Sequence, residues 1–286
     1  MRGVYFSRSE LKRLQSIQTL LSKLRPQEPP YALILPGSPQ PRGEVIIFPG
    51  SFNPPTIAHL ALLKEAWQYA QWHNLRVSQN PHGSRQPMRV YAAFTKLTVD
   101  KEGVERPLLV DRIALLQILL QRRLPRTGIF LFNRGLYVEQ AEAIHHTFPA
   151  VKRILFLIGF DKIVQILDPR YYSDRDAALT ELFTLAELLV APRGNAGRHE
   201  LDELIHQPQN ERFACSIHPL PLSDTYREVS STRIRAGLDR RSVPHEVRRF
   251  MRETRAYAPP VRSSDGTLLD YYEQRVQRLA RLGIYD

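Results

Sequence analysis

Long apolar runs are missing from this 286-residue chain: the longest, from Ile154 to Phe160, is about seven residues, against the roughly 20 that a membrane-crossing helix needs. A helical membrane span is therefore excluded. Cysteine is nearly absent too. With Cys215 alone, the chain can build neither an internal disulfide framework nor a cysteine-rich zinc site, so a reducing compartment, the cytoplasm, is the expected address. The first residues, MRGVYFSRSELKRL, lack the continuous apolar stretch and small-residue cleavage site of a secretory signal. They are read as part of the mature protein, with an organelle transit peptide, which their basic, amphipathic character would suit, as the alternative. No dense carboxylate cluster is present, so no protein-built metal cage is expected. The pair His145 and His146 falls in a helical stretch, where neighbours point in different directions, and is not expected to bind metal.

What is there begins with charge. Lys and Arg number 40 against 29 Asp and Glu, a net charge of +11, which suits small phosphorylated ligands, nucleic acid or an anionic surface. Arginines are densest in the last third (Arg233, Arg235, Arg240, Arg241, Arg248, Arg249, Arg252, Arg255). There they mix with acidic residues at helical spacing and read as a solvated helical face. Aromatic residues do not alternate with them as single-strand stacking would require, so nucleic acid is not the expected partner.

Leu11, Leu14, Ile17, Leu20, Leu21 and Leu24 recur at helical spacing and predict an amphipathic helix over 8–25. A proline-rich linker follows, with at most a short strand at Tyr31 to Leu35, and residues 1–42 read as an appendage to the main fold. Strands are expected at Glu44 to Phe48, Gly128 to Phe132, Arg153 to Ile158 and Ala186 to Ala191. Helices are expected at Ile57 to about Trp72, Leu109 to Arg122, Val138 to Thr147, Ile163 to Leu167, Glu181 to Leu185, 232–239 and 244–256. Alternating strands and helices predict an α/β, Rossmann-like, doubly wound and mainly parallel sheet with helices on both faces, whose ligands sit at the carboxyl ends of the strands. The expected division is 1–42, a main domain over 43–256, and a helical tail over 257–286 with a helix near Leu268 to Leu282.

Two segments carry the chemistry. After the first core strand comes Gly50, Ser51, Phe52, Asn53, Pro54, Pro55, Thr56, then a helix with His59 in its first turn. A glycine allows close backbone approach, and the amides of a helix N-terminus favour an anion. Thr56 and His59, three apart, are expected on one face, converging on one phosphate oxygen. A lone histidine in an amphipathic helix is otherwise a satisfied structural residue. The second segment, Ser230, Ser231, Thr232, Arg233, Ile234, Arg235, puts hydroxyls before a helix and arginines in its first turn, a combination that suits a triphosphate. In isolation it would be a capped helix with solvated arginines.

GSFNPPTIAHL resembles the (H/T)xGH-type signature of the nucleotidyltransferase superfamily, in the GSFNPxTxxH form of nicotinamide mononucleotide adenylyltransferases, and SSTRIR resembles that family's ISSTxxR signature. The continuation AGLDRRSVPHEV is similar as well, and the resemblance covers about residues 43–256. It implies adenylyl transfer from ATP to nicotinamide or nicotinate mononucleotide, with release of pyrophosphate and with Mg²⁺ carried by ATP. It implies catalytic roles for His59, Thr56 and Arg235, and phosphate contacts from Gly50, Ser51, Phe52, Ser231, Thr232, Arg233 and Arg235. Gly159 and Asp161 resemble the family's strand-ending Gly-x-Asp, although Asp161 could equally cap a helix. Arg193 resembles an arginine beyond a later strand, Lys101 a phosphate-facing lysine, and Tyr171 stands where a tryptophan stacks on the pyridine ring. Ala58 stands where many members have glycine, and Arg227 where the nicotinamide enzymes commonly have asparagine, which leaves the acceptor open. A relative with another phosphorylated acceptor and a non-catalytic nucleotide- or RNA-binding protein are the alternatives. A class I aminoacyl-tRNA synthetase relative would need a KMSKS-like loop, which is missing. A homo-oligomer is compatible with the sequence.

Overall fold

The computed structural model describes residues 6–78, 87–96, 106–239, 241–262, 264 and 266–285. Seven strands form one sheet: β1 (Ala32–Ile34), β2 (Gly43–Pro49), β3 (Arg89–Thr95), β4 (Gly128–Phe132), β5 (Val151–Gly159), β6 (Glu187–Ala191) and β7 (Ile217–Pro219). Their order is β1-β4-β3-β2-β5-β6-β7, with all pairs parallel except β1 against β4. The parallel strands thus run outward in both directions from the β2–β5 junction. There the strand order reverses and a crevice opens at the carboxyl ends.

The strands alternate by side-chain face. Val45 and Ile47 of β2 and Ile154, Phe156 and Ile158 of β5 point into one core, whereas Ile46 and Phe48 of β2 and Leu155 and Leu157 of β5 point into the other. Helices cover both faces. α1 (Arg8–Lys23), α2 (Ile57–Ser78), α3 (Leu109–Arg123), α9 (His245–Thr254) and α10 (Tyr271–Arg281) pack on one side. On the other lie α4 (Tyr137–Thr147), α5 (Phe160–Leu167), α6 (Arg175–Leu185) and α7 (Arg198–Ile205). The five-residue α8 (Ser231–Arg235) sits near the crevice, and β8 (Val261–Arg262) pairs with β9 (Leu268–Leu269) in a small hairpin. Among the described residues no helix is long and apolar enough to cross a membrane.

Three differences from the sequence reading matter. First, β3 is a central strand paired with β2, yet its RVYAAFT has an alanine pair in place of a β-branched run, so the strand signal is diluted. Second, the expected appendage is part of the main fold. β1 extends the sheet, and Leu14, Ile17, Leu21 and Leu24 are buried in the same core as α2 and α3. The tail is likewise embedded: Arg275 forms a buried ion pair with Asp111 of α3 (2.8 Å), and the Tyr272 hydroxyl donates to the same carboxylate (2.7 Å). Third, α8 ends at Arg235 and not at 239, because the chain turns through Gly237, whose φ of +76° favours glycine.

Candidate functional site

The turn from β2 into α2 stands at the carboxyl edge of the central strand, beside the end of β5. A Cβ at Gly50 would come 3.1 Å from the Phe52 ring, so any larger residue there would press on that ring. Phe52 is fully buried and adopts a φ of +42°, uncommon for a residue with a side chain. Its ring packs against Phe48, Phe94 and His59. The expected phosphate contact from Phe52 can therefore come only from its backbone amide. Among the described residues, the amides of Ser51, Phe52 and Asn53 have no protein acceptor, so this turn presents a short run of N–H donors of the kind that binds anions.

Thr56 and His59 do not converge outward as expected. Thr56 precedes α2, and its side-chain oxygen accepts the His59 backbone N–H (3.2 Å), while the Thr56 backbone N–H donates to His59 Nδ1 (2.9 Å). This is the reciprocal geometry of a capping box, with imidazole in the place of Glu or Gln. Thr56 is 1% exposed, so its hydroxyl serves His59 and not a ligand. Because Nδ1 accepts a backbone N–H, the ring proton sits on Nε2, which is left as a directed donor. Burial, reinforced by the positive charge of Arg193, lowers the His59 pKa from 6.5 to about 4. The imidazole is therefore neutral near pH 7 and acts as a hydrogen-bond donor, not as a fixed positive charge. A second N-terminal amide of α2 is also engaged, Ile57 N–H donating to the Ser242 carbonyl (3.0 Å).

The second segment meets this turn. Ser231 Oγ donates to the Pro54 carbonyl (2.9 Å), and Arg235 Nη1 to the Asn53 carbonyl (2.6 Å), with its Nη2 on Thr232 Oγ1 (3.1 Å). Ser231, Thr232 and Arg235 thus tie two stretches some 180 residues apart into one unit. Arg233 is exposed on α8. At the ends of β5 and β6, Asp161 and Arg193 form an ion pair of 2.6 Å. Asp161 lies in the first turn of α5, whose cap is Gly159, and so is not itself the cap. A Cβ at Gly159 would meet nothing within 4 Å, so that strand end faces open space. Arg193, 44% exposed at its side chain, is close enough for its charge to reach His59.

Tyr171 is not brought into this group. It lies in a one-turn 3₁₀ segment after α5, is 60% exposed, and among the described residues makes no hydrogen bond or ring contact with the crevice residues. Lys101 lies outside the described residues. Arg227 pairs with Asp224 (2.9 Å), and its carbonyl accepts from Gly194 N–H (3.4 Å), which places it behind the Arg193 turn. Among the described residues no group of three His, Cys, Asp or Glu could hold a metal ion.

Three supports escaped the sequence reading. Asn53, 3% exposed, is a hub: its carbonyl takes Arg235 and its Oδ1 accepts the Tyr257 hydroxyl (2.8 Å). Arg112, buried in α3, donates Nη1 to the Ser51 carbonyl (3.0 Å). An arginine within the apolar stretch of α3 was the available signal; for Tyr257 there was none.

Comparison with known proteins gives one family. A family model described as cytidylyltransferase-like matches residues 47–237. Among solved structures, a protein from Vibrio parahaemolyticus assigned provisionally as a nicotinate-nucleotide adenylyltransferase aligns over 74% of this chain and 99% of its own, at 13% identity and a TM-score of 0.40. No curated protein matches.

Proposed function

We propose that this chain, which belongs to the cytidylyltransferase-like family within the nucleotidyltransferase superfamily, transfers the adenylyl group of ATP to nicotinamide or nicotinate mononucleotide. The observation that carries the reading is the junction of the two signatures: Ser231 and Arg235 bond directly to the Pro54 and Asn53 carbonyls of the turn that presents His59. Solvated arginines on an unrelated helix would have no reason to meet it.

In the proposed reaction an oxygen of the acceptor phosphate forms a bond to the α-phosphorus of ATP. The bond from that phosphorus to the bridging oxygen breaks, and the electron pair leaves with pyrophosphate. No protein nucleophile is needed, so positioning and electrostatics supply the rate. The Nε2–H of His59 donates to a non-bridging α-phosphate oxygen. Because the ring is already neutral and held by Thr56, it need not reorganise as charge shifts. The amides of Ser51, Phe52 and Asn53 cradle the same anion, and Arg193 and Arg233 supply positive charge at the crevice edge. Arg235, Ser231 and Thr232 hold the turn in shape. Mg²⁺ would enter with the triphosphate and neutralise part of its charge, keeping water ligands as magnesium does on nucleotides.

The test is pyrophosphate release with ATP or CTP, Mg²⁺, and nicotinamide mononucleotide, nicotinate mononucleotide, phosphopantetheine or FMN as acceptor, with His59→Ala as control. Turnover with a pyridine mononucleotide and ATP, abolished in the control, supports the reading. Turnover with another pair alone retains the family chemistry and overturns the acceptor.

A further inference from the structure

The family-matched stretch ends at residue 237, yet a residue beyond it touches the anion-binding turn. α9 ends at Thr254, its cap Arg255 is left-handed (φ 54°) and bends the chain back, and two residues later the Tyr257 hydroxyl donates to Asn53 Oδ1 at 2.8 Å. Asn53 is almost wholly buried, so loss of that hydroxyl would leave its amide oxygen without its donor, a situation that drives local rearrangement. Asn53 is also the last of the three residues whose amides have no protein acceptor among the described residues, and its carbonyl is the one held by Arg235. A rotation of this residue therefore moves the donors themselves.

The rest of the tail is anchored firmly enough to serve as a support. Arg275 and Tyr272 of α10 both bond to Asp111, Tyr272 also accepts the Leu108 N–H (2.7 Å), and Arg106 pairs with Asp270 (2.6 Å). Asp111 precedes Arg112, which holds the Ser51 carbonyl. The segment after α9 thus reaches the turn at both ends, through Asn53 directly and through Ser51 by way of α3.

We infer that Tyr257 is a positioning residue for nucleotide binding: its hydroxyl fixes Asn53 so that the amides of residues 51–53 meet the triphosphate. This rests on the reading of that turn as the ATP-phosphate cradle. The experiment compares wild type, Tyr257→Phe, Asn53→Ala and the double variant, measuring Mg-ATP affinity by calorimetry, steady-state constants for ATP and for the acceptor, and melting temperature. The expected result for Tyr257→Phe is a roughly fivefold or larger fall in kcat/KM for ATP, the ratio that corresponds to ~1 kcal/mol for one neutral hydrogen bond, with KM for the acceptor unchanged. In the double variant the loss should not exceed that of Asn53→Ala, because both changes cut the same contact. A merely structural role would lower the melting temperature and leave ATP affinity and the kinetic constants, measured well below it, at wild-type values; that result, or additive losses, overturns the inference while leaving the functional reading intact. A wild-type protein that binds no Mg-ATP removes the cradle reading, and the inference with it.

Discussion

Replacing Thr56 with valine removes one hydroxyl and keeps the side-chain shape, which isolates its hold on His59. The structure gives that hydroxyl two tasks: accepting the His59 backbone N–H at 3.2 Å and contacting Nδ1 at 2.9 Å. Loss of a helix N-cap costs about 1 kcal/mol, up to about 2 in tight settings, and at roughly 2–4 °C per kcal/mol for a domain of this size the melting temperature should fall by about 2–8 °C. The effect on turnover should be larger than the effect on folding. The ring keeps only its bond from the Thr56 N–H, and a displacement near 1 Å of a group facing the reacting phosphate can lower the rate about 100-fold. We therefore expect Thr56→Val to lose about 10- to 100-fold in kcat, and Thr56→Ser, which keeps the oxygen, to recover most of both losses. Thermal unfolding and pyrophosphate-release kinetics measure the two quantities. Wild-type kcat in Thr56→Val, with its melting temperature lowered, would refute the claim that Thr56 acts by orienting His59.

His59, with a folded-state pKa near 4 against 6.5 in the free side chain, should stay neutral in the ligand-free protein until well below pH 5, with its proton on Nε2. A nitrogen-15 NMR titration reads both features, and a midpoint near 6.5 or a proton on Nδ1 would contradict the geometry. Because the unfolded chain takes up this proton first as pH falls, the associated stability, on the order of 3 kcal/mol, is fully present above pH 6.5 and is lost as pH falls toward 4; His59→Gln should flatten that part of the stability profile. Gly159→Val fills only open space, so its melting temperature should stay within about 2 °C of wild type while turnover falls about 100-fold through displaced substrate; wild-type turnover would place the substrate elsewhere. Asp111→Asn leaves the buried Arg275 with only the partly exposed Glu10 carboxylate (3.0 Å) as counter-charge and should destabilise by about 3 kcal/mol, a drop on the order of 10 °C, whereas a change under about 2 °C would mean the pair is not buried in solution.

The doubly wound sheet was legible because the strands EVIIF, GIFLF, RILFLI and AELLVA are compact apolar runs set between helical periodicities. β3 was not, since its alanines carry no such signal and its strand identity comes from pairing with β2 and β4. The proline-rich stretch after α1 looked like a boundary, but the burial of Leu14, Ile17 and Leu21 depends on what lies opposite them, which local pattern cannot tell. At the site, both signatures stood out in the sequence, and their meeting followed from the family resemblance. The misreading of Thr56 has a specific cause. Residues three apart share a face only within a helix, whereas Thr56 is outside α2 at its cap, so its hydroxyl turns toward the His59 amide. Arg112 and Tyr257, 61 and 204 residues from their partners in the turn, could be seen only once the chain was folded.

The turn at 50–59, joined to the segment at 230–235, is proposed to direct attack on the α-phosphorus of ATP. The most direct measurement follows ATP labelled at that phosphorus during reaction with nicotinamide or nicotinate mononucleotide and Mg²⁺. The label should enter a dinucleotide, with one pyrophosphate released per product, and His59→Ala should abolish both. Label recovered as free AMP or ADP, or a γ-phosphate transferred to the acceptor, would contradict the proposal.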